Sequence, residues 1–165
     1  MLGLDKSTFK ESFSFGLNVI VMSMLCALSG IFHKKKRDIM YIIFVTGFAN
    51  IIPDIYAYYL MQRQKNISIS EAIVTTLPLV LAEILSITLI SMPLIFLNNK
   101  YTRFFSAIAI GTILVIISTY LNEEKETTLT NFIEPIFIIL LGVGLTYFLT
   151  SAGDKYLMPI VDRYI

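Results

Sequence analysis

Apolar residues in this chain come in long runs, without the three-to-four-residue alternation of a soluble helix or the two-residue alternation of a half-buried strand. Five runs stand out, at residues 13–32, 39–61, 73–97, 104–121 and 132–150. At about 1.5 Å per helical residue, each is long enough, or nearly so, to cross a hydrocarbon core of roughly 30 Å. A spanning barrel strand would need only about 9 to 11 residues with polar and apolar positions alternating, and no such pattern is present. The runs therefore predict five transmembrane helices in an all-α polytopic membrane protein. The chain reads as one membrane domain over residues 1–165, because the polar segments between runs (33–38, 62–72, 98–103 and 122–131) are too short to fold separately. Pro53, Pro78 and Pro93 fall inside runs and predict kinks or interruptions, since proline lacks the N–H that the preceding turn needs. The apolar stretch after residue 12 carries no A-x-A-like cleavage site and is read as a retained first span.

Composition strengthens this picture. The chain is 165 residues long, 56% hydrophobic and 15% charged, so it holds more apolar surface than one small soluble core can bury. The net charge of +1 and the absence of a basic stripe exclude a nucleic-acid binder. One cysteine, Cys26, and one histidine, His33, exclude an internal disulfide framework and a Cys/His zinc site. GxSxG, HExxH and Walker A patterns are missing, and the expectation is a protein that is not an enzyme and has no resident cofactor.

The charges bear on orientation. With five spans, Lys6, Lys10, Arg63, Lys65 and Lys125 lie on the side of the N-terminus. Lys34, Lys35, Lys36, Arg37, Lys100, Arg103, Lys155 and Arg163 lie on the other. The positive-inside rule then places the HKKKR loop in the cytosol. That cluster reads as a topology determinant, and Tyr56, Tyr58 and Tyr59 read as an interfacial aromatic belt. The sequon Asn66-Ile67-Ser68 lies against a membrane end, where glycosylation is not expected. Gly142 and Gly144, with Gly47 and Ala49, permit close approach between helices.

Chemistry within the spans centres on Asp54. A carboxylate at the middle of a membrane helix costs about 2.5 to 3.5 kcal/mol on insertion scales. Asn50 lies four residues before it and Tyr58 four after, so the three share a helical face with Met61. Two readings stand side by side: a wall of a cation or proton path with Asp54 as hard ligand, or a protonated Asp that bonds to a neighbouring helix. In the first span Asn18, Met22 and Cys26 recur every four residues, and their softer donors suit Fe(II), Cu(I) or Zn(II), although Met and Cys are also ordinary packing residues. Glu83, with Ser86 on its face, is a second intramembrane carboxyl group, functional or a hydrogen-bond partner. Glu134 precedes Pro135 and reads as a residue of a helix N-terminus. The candidate metal ligands are thus Asp54, Asn18, Asn50, Met22 and Glu83.

Four segments taken in order resemble the vacuolar iron transporter family. FSFGLNVIVMSMLCALSG (13–30) is similar to its first helix and FVTGFANIIPDIYAYYLMQRQ (44–64) to its second. Met92-Pro93-Leu94 resembles the end of its third helix, and NFIEPIFIILLGVGLTYFLTSAGDKYL (131–157) its fifth. The resemblance implies a five-helix transporter acting as a homodimer, with the path at the dimer interface. Its cargo would be ferrous iron or manganese, moved out of the cytosol in exchange for protons. The implied host is an intracellular, vacuole-like membrane, whereas the residues alone leave the membrane open. The family's first-helix aspartate falls on Phe15, its second-helix methionine on Pro53, and the carboxylate before its motif tyrosine on Ala57. Its Glu-rich region between the second and third helices has no counterpart in residues 62–72. On this alignment Asp54 stands in for the missing carboxylate. The family's orientation also places HKKKR on the far side, opposite to the charge count. The alternative is a membrane protein of the same fold that conducts nothing and works through helix association with partners.

Overall fold

The computed structural model describes residues 5–30, 35–122, 129–152 and 155. Within them the chain is all-helical, with α1 at Lys6–Gly30, α2 at Lys36–Gln64, α3 at Ile69–Phe96, α4 at Lys100–Asn122 and α5 at Leu129–Ala152. Helices α2, α4 and α5 extend past both ends of their apolar runs, and α1 and α3 start before theirs, because the run marks only what lipid or core must cover while the outer turns sit in polar surroundings. Four helices are long and apolar enough to cross a membrane, and α5 carries a shorter apolar stretch at residues 136–149. This is a membrane-embedded, multi-pass architecture. Its outer surface agrees: Ile52 and Phe96 are each 74% exposed, and Phe105, Phe137 and Phe148 also face outward. In water such a surface would drive aggregation, whereas in lipid it is the solvated face.

Helix ends are set by local chemistry. Asp5 precedes α1, accepts a hydrogen bond from the Ser7 hydroxyl at 2.5 Å and offers its carbonyl to the Phe9 N–H. The Ser7 bond, helped by the Lys6 and Ser7 amides, holds the Asp5 carboxyl below its ordinary value of 3.8. This capping contribution is present above that pH and is lost as pH falls through the lowered value. Ser68 and Glu71 form a reciprocal capping box at the start of α3. Between α2 and α3, Asn66 takes a left-handed conformation (φ 60°), which asparagine tolerates better than most residues. This turn occupies the predicted sequon. Asn99 receives the Tyr101 amide at 2.9 Å and so caps α4.

The short connections make successive helices antiparallel. One end of the bundle therefore gathers the start of α1, the α2–α3 turn and the end of α4, and the opposite end gathers the starts of α2 and α4 with the end of α3. Contacts bear this out: Lys65 pairs with Glu11 at 2.7 Å at the first end, and Lys36 donates to the Ile95 carbonyl at 2.7 Å at the second. Pro53, Pro78 and Pro93 all lie inside continuous helices, so none interrupts its span.

Helix α1 is the axis of the bundle and packs against all four others. Small residues on it explain why. A Cβ added at Gly16 would stand 2.7 Å from the Leu79 carbonyl oxygen, so α1 and α3 touch backbone to side-chain position at that point. Toward α4, the Ser14 hydroxyl donates to the Ser118 carbonyl at 2.7 Å and the Ser118 hydroxyl donates to the Ser14 carbonyl at 2.9 Å. The core around this axis is formed by Leu17, Ile20, Val21, Met24, Leu25 and Leu28 with Ile43, Ile87, Ile90 and Leu94.

Candidate functional site: a buried carboxyl pair

Glu83 lies 14 residues from the start and 13 from the end of α3, which places it about 20 Å from either end. Its side chain is fully buried. The register of α2 on α3 is fixed where Gly47 leaves room for Ile87, whose side chain would stand 2.9 Å from an added Cβ. In that antiparallel register Asp54 comes alongside Glu83, and the two carboxyl groups are close enough for a side-chain hydrogen bond. Neither ionised carboxylate has a proton to give, so the contact is a hydrogen bond only when one of them is protonated. No other donor reaches either Glu83 oxygen or the buried Asp54 Oδ2 among the described residues. Two adjacent anions in a bilayer interior are untenable, and either a shared proton or a bound cation relieves them.

A column of polar side chains leads from this pair to the first end of the bundle. Tyr58 and Gln62 follow Asp54 at intervals of four on α2, and both are buried. The Tyr58 ring packs on Phe15 of α1, with centroids 5.5 Å apart. Its hydroxyl lies near Ser12 and Gln62 yet completes a well-formed hydrogen bond with neither. The Ser12 hydroxyl itself donates to the Thr75 carbonyl at 2.6 Å. Gln62 Nε2 also has no acceptor. The column reaches the surface at the half-exposed Glu11–Lys65 ion pair. Such loosely satisfied polar groups, buried in a row, are what a path for protons or hydrated ions requires.

In the other direction the surroundings close. Asn50 donates through Nδ2 to the Ser23 hydroxyl of α1, and Ser86 donates to the Ala82 carbonyl at 2.8 Å. Past them lie buried Leu28, Ile39, Ile43, Ile90 and Leu94, with the unpartnered hydroxyl of Ser91 among them and buried Arg103 at the far end.

The five sequence-predicted ligands are therefore distributed rather than gathered. Asp54 and Glu83 meet. Asn50 is nearby but engaged with Ser23. Met22 and Cys26 turn toward α5, where Cys26 Sγ would stand 3.6 Å and Met22 Cε 4.0 Å from a Cβ at Gly142. Asn18 is half-buried one turn before Met22 and so lies on the same row. Among the described residues no three His, Cys, Asp or Glu side chains come together. The Glu134 side chain and the His33–Lys34 part of the basic loop lie outside the described residues. Tyr58 needs a correction: it is wholly buried in the column and is not part of an aromatic belt, whereas Tyr56 does face outward. Sequence reasoning missed Ser12 and Gln62. For Gln62 the signal was available, since it continues the Asp54–Tyr58 interval, but it sits past the last apolar residue of its run and reads as loop.

No known protein family, curated protein or solved structure matches the chain.

Proposed function

We propose that this chain is a five-span membrane transporter of a divalent cation, Fe2+ or Mn2+, exchanged for protons at the Asp54–Glu83 pair. The observation that carries this reading is the meeting of two carboxyl groups midway along α2 and α3 with no cationic side chain beside them. Evolution seldom leaves such a pair in lipid unless a cation or proton uses it. Hard oxygen donors favour Mn2+ or Fe2+ over soft Cu(I), consistent with Met22 and Cys26 lying elsewhere. Charge balance gives the exchange a simple form: a divalent cation entering between carboxyls that share one proton displaces that proton and takes the buried site from one negative charge to neutral, and protons return to the pair when the cation leaves. Tyr58 and Gln62 would pass those protons, or the water around the ion, along the column. α5 supplies the fifth span. The homodimer implied by the family resemblance belongs to the same proposal, with α5 as one available contact because Gly144 faces open space.

A second reading has its own support. Asn50 is closed onto Ser23 and the far end of the bundle is sealed by apolar side chains, as expected of a non-transporting protein whose carboxyl pair is a proton-bridged lock between α2 and α3. Flux separates the two. Protein reconstituted in liposomes containing a metal-sensitive dye, with the lumen acidic, should accumulate Mn2+ or Fe2+ and release luminal protons. Asp54→Asn and Glu83→Gln should each reduce that flux at least tenfold. Correctly folded, monodisperse protein that moves neither ion under either pH gradient would establish the lock instead.

A further inference from the structure

At the second end of the bundle, four helices converge on a recess lined by Leu28, Ile39, Leu94, Lys100, Arg103 and Phe104. These come from the end of α1, the start of α2, the end of α3 and the start of α4. Arg103 is only 8% exposed, and its Nε and one terminal nitrogen have no acceptor among the described residues. Guanidinium cannot discard its charge by losing a proton at any physiological pH. A buried, permanently cationic group with two unused donors is therefore a site looking for an anion.

The surroundings define what anion. Lys100 contributes a second positive charge to the rim, held over the Tyr101 ring at 5.0 Å. Lys36 sits at the same end, with its ammonium on the Ile95 carbonyl, next to exposed Lys35 and Arg37. The nearest carboxylate in sequence to this cluster, Asp38, is exposed on the first turn of α2 and has no bond to Arg103. The α4 amides do not provide the site, because Asn99 already takes those of Tyr101, Thr102 and Arg103. What remains is two unpartnered guanidinium nitrogens beside an ammonium, in a recess whose walls are otherwise apolar and which lies one helical turn inside the start of α4. Nε and Nη1 open on different edges of the guanidinium, so a phosphate oxygen accepts from one of these N–H groups, and a neighbouring lysine adds the second charge. The apolar walls suit a phosphate that arrives with acyl chains attached.

We propose that this corner is a phosphate-binding site, with Arg103 as the principal ligand and Lys100 as its partner, occupied by the headgroup of an anionic phospholipid or by free phosphate. It is independent of the carboxyl pair: Leu94 lies between, 11 residues or about 16 Å along α3 from Glu83.

Thermal unfolding of the full chain in a phosphate-free, uncharged detergent tests it, at constant ionic strength. The arms are no addition, inorganic phosphate, short-chain phosphatidylglycerol, and a diacylglycerol of the same chain length. Wild type should gain several degrees with phosphatidylglycerol and nothing with diacylglycerol. A gain with inorganic phosphate as well assigns the site to the anion itself, and a gain with phosphatidylglycerol only assigns it to the lipid. Arg103→Gln should unfold no lower than wild type without ligand, since it removes an unpaired buried charge, and should lose the ligand-dependent gain. Lys100→Gln, on the exposed rim, should fold normally and weaken the response at least threefold. Absence of any phosphate-dependent gain in wild type, or a full gain retained in both variants, would overturn the proposal.

Discussion

A carboxyl group inside a bundle behaves according to its nearest donor, and Glu83 has only Asp54. Replacing its oxygen by an amide nitrogen supplies that donor permanently, so Glu83→Gln should unfold within about 1 kcal/mol of wild type. Removing the side chain is different. Glu83→Ala strands Asp54 among apolar neighbours and should lower unfolding free energy by about 1 to 3 kcal/mol, as measured by denaturant titration in detergent micelles. If glutamine and alanine destabilise equally, the two carboxyls do not share a proton in the resting protein. Both residues were visible in the sequence, each as a costly acid in an apolar run. Their partnership was not, because it depends on how α2 and α3 slide along each other, and that register is set by Gly47 against Ile87. For the same reason Met22 stood among the candidate ligands after Asp54: spacing within one helix gives the shared face but does not say which neighbour the face meets.

At the scale of helices, the glycines are unequal in a way that composition cannot reveal. An added methyl group at Gly16 meets α3 backbone at 2.7 Å and 3.1 Å, and backbone cannot step aside without moving a whole helix. At Gly47 and Gly111 it meets the side chains of Ile87 and Leu25, which have other rotamers available. At Gly144 nothing lies within 4 Å. Gly16→Ala should therefore cost about 1 to 3 kcal/mol through separation of α1 from α3. Gly47→Ala and Gly111→Ala should cost less, and Gly144→Ala should be neutral or stabilising by up to about 1 kcal/mol from helix propensity. A set of four unfolding curves checks the ranking, and a Gly16 variant as stable as the Gly144 variant would show that α1 and α3 do not approach so closely. The prolines teach a related lesson. Their positions predicted kinks or interruptions, and α2 and α3 run through them without interruption, because in lipid a helix that loses one internal hydrogen bond is still far better satisfied than an open segment.

For the molecule as a whole, run length and composition were enough to reveal an all-helical membrane protein, since lipid leaves the backbone so few solutions. The side on which polar groups adjoin the carboxyl pair was not legible, because it arises from which ends of four different helices are polar on their inward faces. Toward the first end, Tyr58, Gln62 and Ser12 continue inward from the Glu11–Lys65 pair, whereas toward the second end the interior next to the pair is mainly Leu28, Ile43, Ile90 and Leu94, with Ser91 among them and Arg103 only at the far end. Water follows polar groups that lack partners, and Tyr58 and Gln62 both have them. In a Cys26→Ala background, cysteines placed singly at Gln62 and Ile90 should then differ sharply toward a small, membrane-impermeant thiol reagent. Gln62→Cys should be labelled when the reagent is on the side of the α2–α3 turn, and Ile90→Cys from neither side. Reactivity from both sides at Gln62, or from the opposite side at Ile90, would mean that the apolar half opens at rest. Adding Mn2+ turns the same assay toward mechanism: a carrier that exposes its site to each side in turn must loosen the Leu28–Ile43–Ile90 seal when loaded. Labelling at Ile90 should accordingly rise with metal in the wild-type pair and stay unchanged when Asp54 is Asn.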